Sequence, residues 1–214
     1  MRISQSQCLL MLLCPALLAS PFLSVSHAWC AETSADDSVW KAAAGSTVIT
    51  PEQSMWMAGY AARDKPSEGV TNDMHDLVLV LLDAEKTRLV IVTLDVIGIP
   101  TGFRDKLVKT CGQEYQLPAA SILINASHTH CGPELRLFKI RHYGVEASRE
   151  AQAIQYTEAL MQKVIDLIGM TIDRLEPVRL QYTHARAGFA MNRRLPTAKG
   201  VINSPHPDGP VDHE

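Results

Sequence analysis

Apolar residues in this chain gather into short blocks separated by polar stretches, and the blocks differ in period. Residues 77–82 and 89–93 are apolar and β-branched, joined by the polar run Asp83-Ala84-Glu85-Lys86-Thr87-Arg88, which predicts a β-hairpin. Neither block alternates with polar residues, so both strands are expected to be buried on two faces. Residues 121–126 predict a further strand, 46–50 a short one stopped at Thr50-Pro51, and 178–182 another. Between residues 148 and 175 the period changes to that of a helix. Ile154, Met161, Ile165, Ile168 and Ile172 recur at three, four or seven residues and mark one apolar face, expected to pack on a sheet. Ser148 is the expected amino cap, Glu150 falls in the first turn, and Pro177 lies just past the end.

A shorter helix is expected over 102–110, after Pro100 and stopped by Gly112. The loop Met55-Trp56-Met57-Ala58-Gly59-Tyr60 is apolar in a turn-prone setting and predicts a buried loop or a cleft wall, with Tyr60 either lining the cleft or packing. Beyond Gly188 the chain is rich in Arg, Pro, Gly and Asn, with little apolar periodicity. These elements describe an α/β domain: a mixed β-sheet with packed helices.

The first residues have a different composition. Arg2 precedes an uncharged apolar run over 8–23, and Ser26 and Ala28 are small residues suited to cleavage after Ala28, so residues 1–28 read as a signal peptide and the mature protein as exported. The run is marginal in length for a bilayer span, and an uncleaved anchor is the alternative. Residues 29–39 are small and acidic and are expected to form a disordered lead-in, with the domain spanning 40–214. About 186 residues remain, enough for one domain with its own core. A formal net charge of −3 gives no sign of a nucleic-acid partner. With Cys8 and Cys14 in the leader, Cys30, Cys111 and Cys131 form an odd set that describes no disulfide framework.

The densest polar cluster follows the strand expected at 121–126: Asn125-Ala126-Ser127-His128-Thr129-His130-Cys131-Gly132-Pro133-Glu134. In extended geometry residues i and i+2 share a side, so His128 and His130 are expected to point into one cleft. Neutral imidazole is a natural zinc ligand, although two nearby loop histidines can equally be solvated or structural. The buried strand before the pair and the Gly132-Pro133 turn after it favour a metal or catalytic role, since open sheets place their sites at strand ends. Asp95 ends another apolar strand, where a carboxylate either orients a ligand histidine or caps a turn. His75, His142, His184, His206 and His213 have no partner at metal-ligand spacing and are assigned to structure or surface.

The string Ser127-His128-Thr129-His130-Cys131-Gly132-Pro133 resembles the signature Ser/Thr-His-Thr-His-Ser-Gly-Pro of the neutral/alkaline ceramidase family, with Cys131 where serine is usual. Four other segments resemble that family in the same order: Ile49-Thr50-Pro51, Met57-Ala58-Gly59-Tyr60, Val92-Thr93-Leu94-Asp95 and Ala190-Met191-Asn192-Arg193-Arg194. The resemblance covers residues 40–214 and is to the amino-terminal part of the family, in particular its shorter bacterial members. It implies the amino-terminal portion of a larger zinc-hydrolase catalytic domain, with Zn2+ as cofactor and an N-acylsphingosine or other lipid-like amide as substrate. Peripheral membrane contact stays open. By position, His128 matches the first zinc ligand, His130 a neighbouring histidine required for catalysis, and Arg193 an arginine needed for activity.

The family's remaining ligands, a histidine, a glutamate and a tyrosine, fall beyond the point that Asp212-His213-Glu214 matches. The chain is accordingly expected to be a fragment or truncated product, or inactive on its own, because catalytic zinc takes about three protein ligands. Cys131 as a thiolate ligand is an alternative to the usual serine's hydrogen bonding. Two rival functions remain: a metal hydrolase of another exported substrate, and a non-catalytic exported binding module.

Overall fold

The computed structural model of this protein describes residues 40–60 and 62–212. The expected signal peptide and lead-in, residues 1–39, and His213 lie outside the described residues. Five strands form one sheet: β1 (Trp40–Val48), β2 (His75–Leu82), β3 (Arg88–Leu94), β4 (Ile122–Ala126) and β5 (Glu176–Val178), in the spatial order β4-β3-β2-β1-β5. The helices are α1 (Thr101–Tyr115), α2 (Leu137–His142) and α3 (Ala147–Ile172). A separate two-stranded sheet, β6 (Asn192–Thr197) with β7 (Gly200–His206), follows. The architecture is α/β with a mixed sheet, as the hydrophobic pattern predicts.

The β2–β3 hairpin forms where expected, one or two residues longer, with Val78 opposite Val92 and Val80 opposite Val90. These four valines are buried against α1 and α3. The opposite face is not covered. Leu77, Leu79, Leu89 and Leu123 are 49%, 36%, 37% and 53% exposed. The expectation of two buried faces is therefore wrong, because both layers of packed helix lie on the valine side.

On α3 the buried stripe is Ala153, Leu160, Met161, Val164, Ile165, Leu167, Ile168 and Thr171. Met161, Ile165 and Ile168 match the expected face, but Ile154 is exposed at the end nearest α2. Ser148 is not the amino cap; Glu146 holds that place without a side-chain cap, and Ser148 Oγ donates to Glu146 Oε2 at 3.2 Å. Gly45 lets β1 come close to this helix: a Cβ there would lie 2.5 Å from Thr171 Oγ1 and 2.9 Å from Leu167.

Helix α1 runs past Gly112 and ends at Gln116, which takes φ +55°. A glycine inside a helix costs about 1 kcal/mol, and the stripe Phe103, Leu107 and Cys111 outweighs it, each fully buried side chain contributing about 1.5–3 kcal/mol. Tyr115 Oη donates to the Ile165 carbonyl at 3.2 Å and ties α1 to α3. Among the described strands only β3 and β4 pair in parallel, with α1 as their crossover. Leu94 sits opposite Ala126, so Asp95 and Ser127 leave the sheet side by side at its carboxyl end. Among the described residues no helix is long and apolar enough to cross a membrane.

Candidate functional site

The loop after β4 begins by extending the ladder: the Ser127 amide donates to the Leu94 carbonyl at 3.0 Å. His128 then breaks the extended path with φ +60°, a left-handed conformation uncommon outside glycine but more accessible to Asn, Asp and His. That turn aims the imidazole at the neighbouring strand end, where its Nδ1 lies 2.7 Å from the Ile97 carbonyl. A carbonyl only accepts, so in the neutral ring Nδ1 carries the proton and the lone pair sits on Nε2. A backbone carbonyl on one ring nitrogen is the usual way to present the other to a metal.

His130 lies close by, its ring centroid 5.3 Å from that of His128 with the planes at 63°. The rings do converge, but not through the expected side-sharing in an extended strand; the left-handed turn at His128 brings them together. The segment after the pair is zipped to the loop at residues 55–60, by the Ala58 amide on the Gly132 carbonyl at 2.9 Å and the Glu134 amide on the Trp56 carbonyl at 3.0 Å. Within that loop Gly59 takes φ +76°, and a Cβ there would fall 2.4 Å from His130 Cγ. Only glycine permits this approach.

Tyr60 is 62% exposed and meets the His130 ring edge-on, with centroids 5.0 Å apart. Arg63 Nη2 donates to the His130 carbonyl at 3.0 Å. Beside the pair opens a cleft of about 780 Å³, lined by Met57, Met74, Asp95, Thr129, Cys131 and Gly132 among others. Cys131 is an exposed free thiol whose amide donates to Thr129 Oγ1 at 3.1 Å.

Asp95 does not orient a histidine ring. Its Oδ2 accepts the His75 amide at 3.0 Å, and its own amide donates to the His75 carbonyl at 3.0 Å, so it closes the turn after β3. The group that orients His128 is the backbone of Ile97. Arg193 stands exposed on β6. The hydrogen bonds and ring contacts of His128 and His130 run to Ile97, Arg63, Tyr60 and each other, and Arg193 takes part in none of them. Among the described residues no group of three or more His, Cys, Asp or Glu side chains is placed to hold a metal ion. His206 Nδ1 lies 3.0 Å from the Arg194 carbonyl, and His184 bonds to Tyr182.

The roles of two residues escaped the sequence reading. Glu134 is fully buried and forms a forked pair with Arg136, Nε to Oε1 at 2.6 Å and Nη2 to Oε2 at 2.7 Å, while the Arg136 amide adds a bond to Oε1 at 3.0 Å. That hydrogen bonding raises the guanidinium's pKa further. The pair pins the chain immediately after the histidine loop; its signal was a Glu and an Arg two residues apart. Arg63 is the other, and no local pattern marks a residue 67 positions from its partner.

No family model and no curated protein matches this chain. In fold it is an α/β domain with a mixed sheet and a histidine loop at the end of β4. Two of the solved structures it resembles are ceramidases. One, described as ceramidase complexed with C2, superposes with a TM-score of 0.53 at 21% identity over 65% of this chain and 22% of that one. The neutral ceramidase from Pseudomonas aeruginosa gives a TM-score of 0.52 at 22% identity over 66% of this chain and 23% of that one. The likeness is one of fold, and it agrees with the family that the histidine signature resembles. The chain spans less than a quarter of the length of these ceramidases.

Proposed function

We propose that this chain carries the histidine loop of a zinc-dependent, exported amide hydrolase of the ceramidase kind, cleaving N-acylsphingosine to a fatty acid and sphingosine. The observation that supports it most is the bond from His128 Nδ1 to the Ile97 carbonyl, because it leaves Nε2 as the free lone-pair donor of an oriented ring. The donor chemistry fits zinc: a neutral imidazole with a backbone partner behind it, and a second imidazole 5.3 Å away between ring centroids. His128 is the ligand in this reading. Zinc there would supply Lewis-acid polarisation and water activation.

This chain's residues do the rest. His130, held by Gly59, Tyr60 and Arg63, takes and returns a proton at its imidazole during attack on the amide carbonyl. Arg193 binds developing negative charge in this reading. The cleft beside Cys131, large enough for a drug-sized ligand, receives part of the substrate. One ligand from the described residues falls short of the usual three.

The test is a zinc titration of the purified protein beside His128→Ala, joined to a hydrolysis panel of N-acylsphingosine, fatty-acyl esters and N-acyl sugars. Zinc binding that disappears in the variant, and turnover of the N-acyl lipid above the other substrates, is the expected result. Equal zinc uptake by both proteins, or a preference for an ester or a sugar amide, would overturn the reading.

A further inference from the structure

Arg63 is a half-buried guanidinium with no carboxylate partner among the described residues. Its Nη2 donates to the His130 carbonyl at 3.0 Å and its Nη1 approaches Met57 Sδ at 3.7 Å, while the guanidinium carbon lies 5.6 Å from the Tyr60 ring centroid. Its Nε is buried without a hydrogen-bond partner. A cation taken partly out of water with neutral partners alone is costly to keep. A solvated arginine would not hold this position. Both ends of its fork and its flat face are used on the loop that surrounds one imidazole: Met57, Tyr60 and the backbone of His130.

We infer that Arg63 is a positioning residue for His130. Gly59 gives the ring room on one side and Tyr60 contacts it edge-on. Arg63 spans from Met57 to the His130 carbonyl and so locks the loop that carries Gly59 and Tyr60 to the residue they surround. A planar guanidinium can bind two acceptors at a fixed angle while its face rests on an aromatic ring, which an ammonium cannot do. The inference rests on the hydrolase reading for the chemistry of His130, but its geometry stands apart from that reading.

Histidine and aromatic side-chain NMR on the full chain tests it, with Arg63→Met and Arg63→Lys. In the unchanged protein, cross-relaxation between the Tyr60 and His130 rings is expected. Arg63→Met should abolish it while the Val80–Val90 core signals and the melting temperature stay in place, and Arg63→Lys should restore only part of it. In the zinc-loaded protein Arg63→Met should lower kcat about a hundredfold, the scale of a roughly 1 Å misplacement, with KM within about twofold.

Persistence of the Tyr60–His130 contact in Arg63→Met would overturn the inference, as would core signals that shift with it or an equal loss in KM. A protein that hydrolyses no amide at all would sink the hydrolase reading and leave the ring signals to decide the role of Arg63.

Discussion

Asp76 gives the most direct physical prediction. It lies on the core face of β2, opposite Leu94 of β3 and Thr47 of β1, and is fully buried with no hydrogen-bond partner for either carboxylate oxygen. Burial alone pushes its pKa from the ordinary 3.8 up to about 7. The folded protein therefore holds a proton that the unfolded chain releases between about pH 4 and pH 7. Stability from this group is fully present below about pH 4 and lost as pH rises to 7, with no further change above it. A rise of roughly three pH units at about 1.4 kcal/mol each makes about 4 kcal/mol in all.

Asp76→Asn keeps the shape and removes the titration. Urea unfolding of both proteins from pH 5 to pH 8 isolates the effect, because every other titrating group is common to the pair. The variant should gain about 3 kcal/mol on the parent across that interval, nearly all of it below pH 7. A stability difference that stays constant with pH would show that Asp76 is charged and partnered throughout, and would refute the reasoning.

Other substitutions probe the frame of the site. Arg136→Met leaves the Glu134 carboxylate buried and unpaired and should cost about 3–5 kcal/mol in urea unfolding. Gly59→Ala forces a Cβ against His130 at a positive φ and should cost about 1–3 kcal/mol, with the His130 ring signals displaced. Tyr156→Phe removes the bond that its hydroxyl donates to the Ile49 carbonyl at 2.5 Å and should lower stability by about 1–3 kcal/mol, read by thermal melting. Leu107→Ala opens a cavity under α1 at a fully buried site and should cost about 2–5 kcal/mol.

The hairpin of β2 and β3, the α3 stripe and the strand before the histidines were legible because their side chains carry the period of the element. Burial on one face or two was not, since Leu77-Val78-Leu79-Val80 reads the same whether its leucines meet protein or water. The β6–β7 hairpin was missed because it is held by backbone pairing and by a turn with Gly200 at φ +113°, with most of its side chains exposed. Gly112 misled the end of α1, where packing of Leu107 and Cys111 overrides local propensity. At the site, the spacing of His128 and His130 was visible, but what orients them was not. A backbone carbonyl at Ile97 and a guanidinium at Arg63 belong to distant segments and leave no mark near residue 128.

The central claim is that His128 is locked as a donor through Nε2. Long-range nitrogen–proton NMR of the histidine rings reads this directly. The account predicts that His128 carries its proton on Nδ1 before metal is added, and that zinc shifts its Nε2 resonance first among the described histidines. A proton found on Nε2, or a zinc response that leaves the His128 ring unchanged, would contradict it.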